Sequence, residues 1–96
     1  MGRKFGYILA GPGRPPVAAQ RAAVAVLDVD LSRPGAAWLD TLEGQLTRRA
    51  ALLHAVRSGD TVAVADRRCL GSSQPDGAWF LAELSRRGVT VAINGN

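Results

Sequence analysis

The sequence predicts an α/β domain of three layers, with a mostly parallel four-stranded sheet flanked by helices. Two observations carry this prediction: short apolar runs with strand alternation recur along the chain, and the stretches between them show helical spacing or helix-cap chemistry. Length is the third. At 96 residues the chain is one domain, residues 1–96, with room for a single modest core. Hydrophobic residues make up 47% of it and charged residues 21%, a globular composition rather than a disordered one. Aromatics are only 5%, so much of the apolar content is small side chains that each bury little area. At roughly 25 cal/mol per Å² of buried apolar surface, the margin over chain entropy is thin. A partner or a second copy would supply the missing burial.

Lys4 to Ala10 reads as the first strand: Phe5, Tyr7 and Leu9 alternate with Gly6, Ile8 and Ala10, and Gly11-Pro12-Gly13 ends it. Pro15 and Pro16 suit the first turn of a helix, where amide hydrogens are unpaired anyway, so Val17 to about Ala23 is the first helix. Val24 to Leu31 fits two descriptions. As a strand it places Asp28 and Asp30 at a carboxyl end; as a continuation of the helix it leaves only Asp28 to Leu31 extended. A strand from about Val26 is preferred. Ser32 to Gly35 is a turn. From Ala36 to Arg57, Leu39, Leu42, Leu46, Ala50, Leu53 and Val56 recur at steps of three and four, the stripe of an amphipathic helix, with Arg48, Arg49 and Arg57 off it. Gly44 costs that helix about 1 kcal/mol relative to Ala, so one bent helix or two short ones fit. Gly59 supplies a left-handed stop. Thr61 to Ala65 is a central strand. Ser73 caps the next helix, with Pro75 in its first turn and Asp76 at the amide end of its dipole, and Gly88 ends it. Val89, Val91 and Ile93 form the last strand, and Asn94-Gly95-Asn96 is a frayed tail.

The segment Ser58-Gly59-Asp60-Thr61-Val62-Ala63-Val64-Ala65-Asp66-Arg67-Arg68-Cys69-Leu70-Gly71-Ser72-Ser73, preceded by Arg57, resembles the strand and loop of serine recombinases, whose pattern is roughly R-x-G-D-T-L-V-V-x-x-L-D-R-L-G-R-S. Gly6-Tyr7-Ile8-Leu9-Ala10-Gly11-Pro12 lies where that family has G-Y-A-R-V-S-T. Gln20-Arg21 matches a Q-R in its first helix, and Leu81 to Val89 matches its L-x-x-L-x-x-R-G-V. The resemblance covers both flanks and fails from about Asp28 to Gln45. It implies a resolvase-like fold without the family's reagents. The nucleophilic serine and its neighbouring arginine fall on Gly11 and Leu9, and the catalytic Asp and two Arg residues fall on Arg68, Cys69 and Ser72. With the reagents replaced at these positions no catalytic residue is expected, and no helix-turn-helix DNA-binding domain is expected either.

Charge and residue usage narrow the remaining classes. Twelve Lys and Arg against eight Asp and Glu give a net charge of +4, which favours nucleic acid or acidic partners. Arg67, Arg68, Arg86, Arg87 and Arg14 are the candidate phosphate contacts, with the two arginine pairs forming a patch near the carboxyl ends of the strands. Cys69, lacking a second cysteine, forms no internal disulfide. It reads either as a thiol activated by Arg67 and Arg68 or as a small half-buried residue. No cofactor or metal site is expected: His54 stands alone, and Gly11-Pro12-Gly13-Arg14 lacks the Lys of a phosphate loop. Asp28 and Asp30 are the candidates for a Mg²⁺-dependent phosphoryl transfer, the least favoured reading. No run is long enough to cross a bilayer, so a cytoplasmic location is the default expectation.

Three functions remain in order of preference. The first is a non-catalytic module, a small regulatory or adaptor protein that docks on another protein or on itself through Trp38, Leu39, Leu42 and Leu46. The second is a DNA-binding accessory protein that uses the arginines without cutting. The third is the Asp28 and Asp30 enzyme. Salt separates the first two, because phosphate contacts weaken steeply as salt rises.

Overall fold

A computed structural model describes residues 2–94. Four parallel strands form one sheet in the order β2-β1-β3-β4: β1 is Lys4–Ala10, β2 Ala37–Thr41, β3 Thr61–Val64 and β4 Thr90–Ile93. The connections are α1 (Val17–Val26), α2 (Thr47–Ala55) and, after a 3₁₀ turn at Arg67–Leu70, α3 (Gln74–Arg86). The expected α/β class with a parallel sheet flanked by helices is therefore present, and the sheet is parallel throughout. Parallel neighbours need crossovers on the sheet faces, which is why every strand here is followed or preceded by a helix.

The two faces are covered unequally. On one, Phe5, Tyr7 and Leu9 of β1 and Val62 and Val64 of β3 pack with Leu52 and Leu53 of α2 and Phe80 and Leu84 of α3. Tyr7 and Phe80 meet edge to face at 5.7 Å. On the other, α1 stands alone, and Val24 packs with Val29, Ala36 and Ala63. Gly6 of β1 makes this possible, since a Cβ there would come within 3.0 Å of Val24 Cγ2.

Four expectations need correction. Val24 to Leu31 contains no strand: α1 runs on to Val26, Asp28 takes a left-handed conformation (φ 69°) that stops it, and Val29 tucks under the sheet. The second strand lies instead at Ala37–Thr41, inside the expected helix Ala36 to Arg57, of which only Thr47–Ala55 is helical. Period three-to-four spacing over a few leucines does not distinguish a strand plus turn plus helix from one helix. What decides is that β1, with β3 on one side, takes β2 as its neighbour on the other. Gly59 is left-handed as expected (φ 92°), but it sits in the turn before β3 and not at the helix end. The frayed tail is corrected at Asn94, whose N–H donates to Val64 O and whose Nδ2 donates to Ala23 O; Gly95 and Asn96 lie outside the described residues. Among the described residues, no helix is long and apolar enough to cross a membrane.

Candidate functional site

In open parallel sheets, ligands collect outside the carboxyl ends of the strands where the strand order reverses, here between β1 and β3. The two strands pair only through Lys4, Phe5 and Gly6, and beyond that they part. Gln20, fully buried on α1, closes the gap with its side-chain amide: Nε2 donates to Leu9 O and Pro15 O, and Oε1 accepts from Leu9 N–H. One side chain thus replaces a missing rung of the sheet, so no buried backbone group of Leu9 is orphaned.

A cavity of about 610 Å³ opens at this end between the loop after β1 and the amino end of α3. Arg14 lies in its wall with each of its three guanidinium nitrogens donating to a backbone carbonyl: Nε to Arg68 O at 2.9 Å, Nη1 to Pro12 O at 3.0 Å and Nη2 to Gly71 O at 2.6 Å. Arg68 pairs with Asp66 at 2.8 Å and donates to Gly13 O. Both arginines serve as stitches between loops. Arg67 alone is exposed there with no hydrogen bond or ion pair among the described residues. The expected single patch is corrected: Arg86 and Arg87 end α3, whose thirteen residues carry the chain about 20 Å to the other end of the sheet, and both pair with Glu83.

The positions singled out by the recombinase resemblance lie around the same crevice. Leu9 is buried. Gly11 has φ 156°, and a Cβ there would stand 2.5 Å from Leu42 Cδ1, so Leu42 occupies the room a side chain would need. Ser72 Oγ lies 3.3 Å from Asp76 Oδ2. Cys69 is buried, and Arg68 points to Asp66 instead of to the thiol. Burial pushes the Cys69 thiol up to about 11, with a smaller upward push from the Asp66 carboxylate. The activated-thiol alternative therefore fails on geometry. The folded protein is expected to react with a thiol reagent at pH 7 only as fast as it opens globally, and labelling faster than global opening would contradict this burial.

The most tightly built polar feature was not anticipated from sequence. Asp40 of β2 reaches the amino end of α2, where its carboxylate accepts from Arg48 N–H (3.1 Å) and Arg49 N–H (2.8 Å) and from Tyr7 Oη (2.9 Å). Leu46, the residue at the cap position, is left-handed (φ 53°) and offers no side-chain acceptor, so Asp40 caps the helix from a neighbouring strand. Burial, and then the bond to Asp40, raises the Tyr7 phenol above its ordinary value. Arg49, expected off the apolar stripe, is buried: its guanidinium forks onto Asp76 at 2.9 and 3.0 Å, donates to Leu70 O and lies 5.0 Å over the Phe80 ring. Asp76 also accepts from Ser72 N–H, and Gly71 is needed beside it, because a Cβ there would fall 2.5 Å from Asp76 Oδ2. The sequence signal available was the lone Asp between strand-forming residues at 38–41, which resembles any polar strand position.

The residues expected to form a helical docking stripe are distributed otherwise. Trp38 and Leu39 are consecutive on β2 and face opposite sides of the sheet; Trp38 packs against Phe5 and under Arg48, Leu42 against Gly11, and Leu46 is buried. Leu39 remains 48% exposed. Asp28 and Asp30 are corrected as well: they lie in the loop after α1, at the amino end of the sheet, where Asp28 is 3.8 Å from Lys4 Nζ and Asp30 holds Ser32. His54 is exposed beside Trp79 on a shallow groove between α2 and α3. In comparisons with known proteins, the chain matches no family model and no curated protein.

Proposed function

We propose that the chain is a serine-recombinase-like domain without reagents, a regulatory or adaptor module that acts by binding protein chains and not by cutting DNA. The observation that supports this most is the state of position 11, where Leu42 fills the space a nucleophilic side chain would occupy. The neighbouring groups agree with it. Cys69 is buried, and Arg14 and Arg68 are spent on loop carbonyls and Asp66. A recombinase needs a free hydroxyl and uncommitted cations around one phosphate.

The test is incubation of the purified protein with supercoiled plasmid and labelled duplex, followed by denaturing gels. No nicking and no covalent protein–DNA adduct are expected, for the protein and equally for Gly11→Ser. An adduct mapped to any serine would overturn the proposal. Duplex binding measured at two salt concentrations addresses the nucleic-acid alternative: with Arg67 alone uncommitted at the crevice, binding is expected to be weak. A tight complex that loses orders of magnitude in affinity between roughly 50 and 200 mM salt would transfer the function to nucleic acid.

A further inference from the structure

The two open edges of the sheet differ. On β4, Val91, Ala92 and Ile93 are half-buried, whereas β2 leaves Leu39 48% exposed. Strand parity settles which backbone groups of β2 are free. Gly6 N–H donates to Ala36 O and Leu42 N–H donates to Ala10 O, so the even-numbered residues of this stretch face β1. In a parallel pair, alternate residues direct both backbone groups to the same side, so those of Ala37, Leu39 and Thr41 point away from the sheet. Apart from the turn bond that Gly44 N–H donates to Thr41 O, these groups have no partner among the described residues. Edge strands are usually blunted by Lys, Pro or a bulge, and Ala-Trp-Leu-Asp-Thr contains neither Lys nor Pro.

We propose that this edge pairs with the same edge of a second copy, antiparallel about a two-fold axis at Leu39, to make one continuous sheet through both molecules. The proposal rests on the reading of the domain as a protein-binding module and names the chain it binds. The edge is self-complementary: Leu39 meets the partner's Leu39, Ala37 meets the partner's Thr41, and the two leucines cover each other on the face that α1 leaves open. Charge is complementary too. Glu43, exposed just beyond β2, is the one carboxylate among the described residues with neither an ion pair nor a hydrogen bond. Arg33, just before β2, meets only the Lys4 carbonyl and the Phe5 ring, with no carboxylate. Glu43 follows the carboxyl end of β2 and Arg33 precedes its amino end, so the antiparallel arrangement brings Glu43 of one copy and Arg33 of the other to the same end of the seam, and the two-fold axis repeats the match. At β4 no free acid flanks the strand, because Glu83 is already held by Arg86 and Arg87. A β2-to-β4 contact would be head to tail and would build rings or filaments instead of two-fold dimers.

Sedimentation of the 96-residue protein from about micromolar to millimolar concentration is expected to show a monomer–dimer equilibrium that weakens as salt rises. Leu39→Lys and Leu39→Glu each set like charges across the axis, so each variant alone is expected to lose tenfold or more in association, and an equimolar mixture is expected to recover a heterodimer. Thermal unfolding of each variant checks that the monomer is intact. A protein monomeric throughout, a dimer indifferent to position 39, or species growing beyond the dimer would overturn the pairing. These outcomes are separate from those for the non-catalytic reading, which only a covalent DNA adduct or a tight salt-sensitive DNA complex overturns.

Discussion

Replacement of Arg49 by Met is expected to destabilise the domain by about 3 kcal/mol and to lower Tm by roughly 12–24 °C, measured by calorimetry. The change removes a cation that forks onto Asp76, binds Leu70 O and stacks on Phe80, and it leaves the Asp76 carboxylate with a single backbone donor from Ser72 and the Ser72 hydroxyl. Breaking one side of a buried pair typically costs about 3–5 kcal/mol; the lower end applies because the Asp76 side chain keeps 27% of its surface in water. Arg49→Lys keeps the charge but loses the planar fork and is expected to recover only part of the loss. Acid provides an independent check. Hydrogen bonding to Arg49 holds the Asp76 carboxyl below its ordinary value of 3.8, so its contribution to stability is complete above that pH and is withdrawn as pH falls through the lowered folded-state value. The stability gap between the protein and Arg49→Met is therefore expected to narrow in acid. A gap constant down to about pH 2 would show that the ion pair does not carry the effect.

Asp40→Ala is expected to cost about 1.5–5 kcal/mol. Loss of a helix cap accounts for about 0.5–2 kcal/mol of this, and a buried Tyr7 hydroxyl left without its acceptor accounts for about 1–3 kcal/mol. The same substitution frays the first turn of α2, which carries Arg49, so Asp40→Ala and Arg49→Met are expected to be less than additive in the double variant. Tyr7→Phe discriminates the two components: in the Asp40→Ala background it should be nearly neutral, because the stranded hydroxyl is removed together with its cost. If Tyr7→Phe is equally costly in both backgrounds, the Tyr7–Asp40 bond contributes nothing specific.

Elements governed by local chemistry were legible in the residues. β1 has alternation, α3 has Ser73 as a cap with Pro75 behind it and left-handed Gly88 (φ 76°) beyond its end, and β3 and β4 are short β-branched runs, so each appears close to its expected position. What was not legible depends on non-local demands. Val24 and Val26 have strand-like neighbours, yet the turn at Asp28 is fixed by Val29 dropping under the sheet, a contact no window of residues reveals. Trp38 to Thr41 becomes a strand because β1 lacks a neighbour, and its carboxylate is then recruited to cap a helix that carries no cap of its own. At the crevice, the loop between β3 and α3 was located correctly, but the direction of each arginine was not: Arg14 and Arg68 turn inward to carbonyls, and Arg86 and Arg87 are carried to the far end by the helix between them. Residue type alone does not show whether a guanidinium is available or already spent.

The position of β1 between β2 and β3 bears on how the chain acquires its shape. The first of the four strands in chain order is the one that must wait for both neighbours, the nearer beginning at Ala37 and the farther at Thr61. Until the later one arrives, Phe5, Tyr7 and Leu9 have no opposing apolar strand on that side, and the closure entropy of the intervening segment opposes docking. Assembly should then be nearly all-or-none and governed by these distant pairings, with β1 open to misassociation until β3 is available to pair with it.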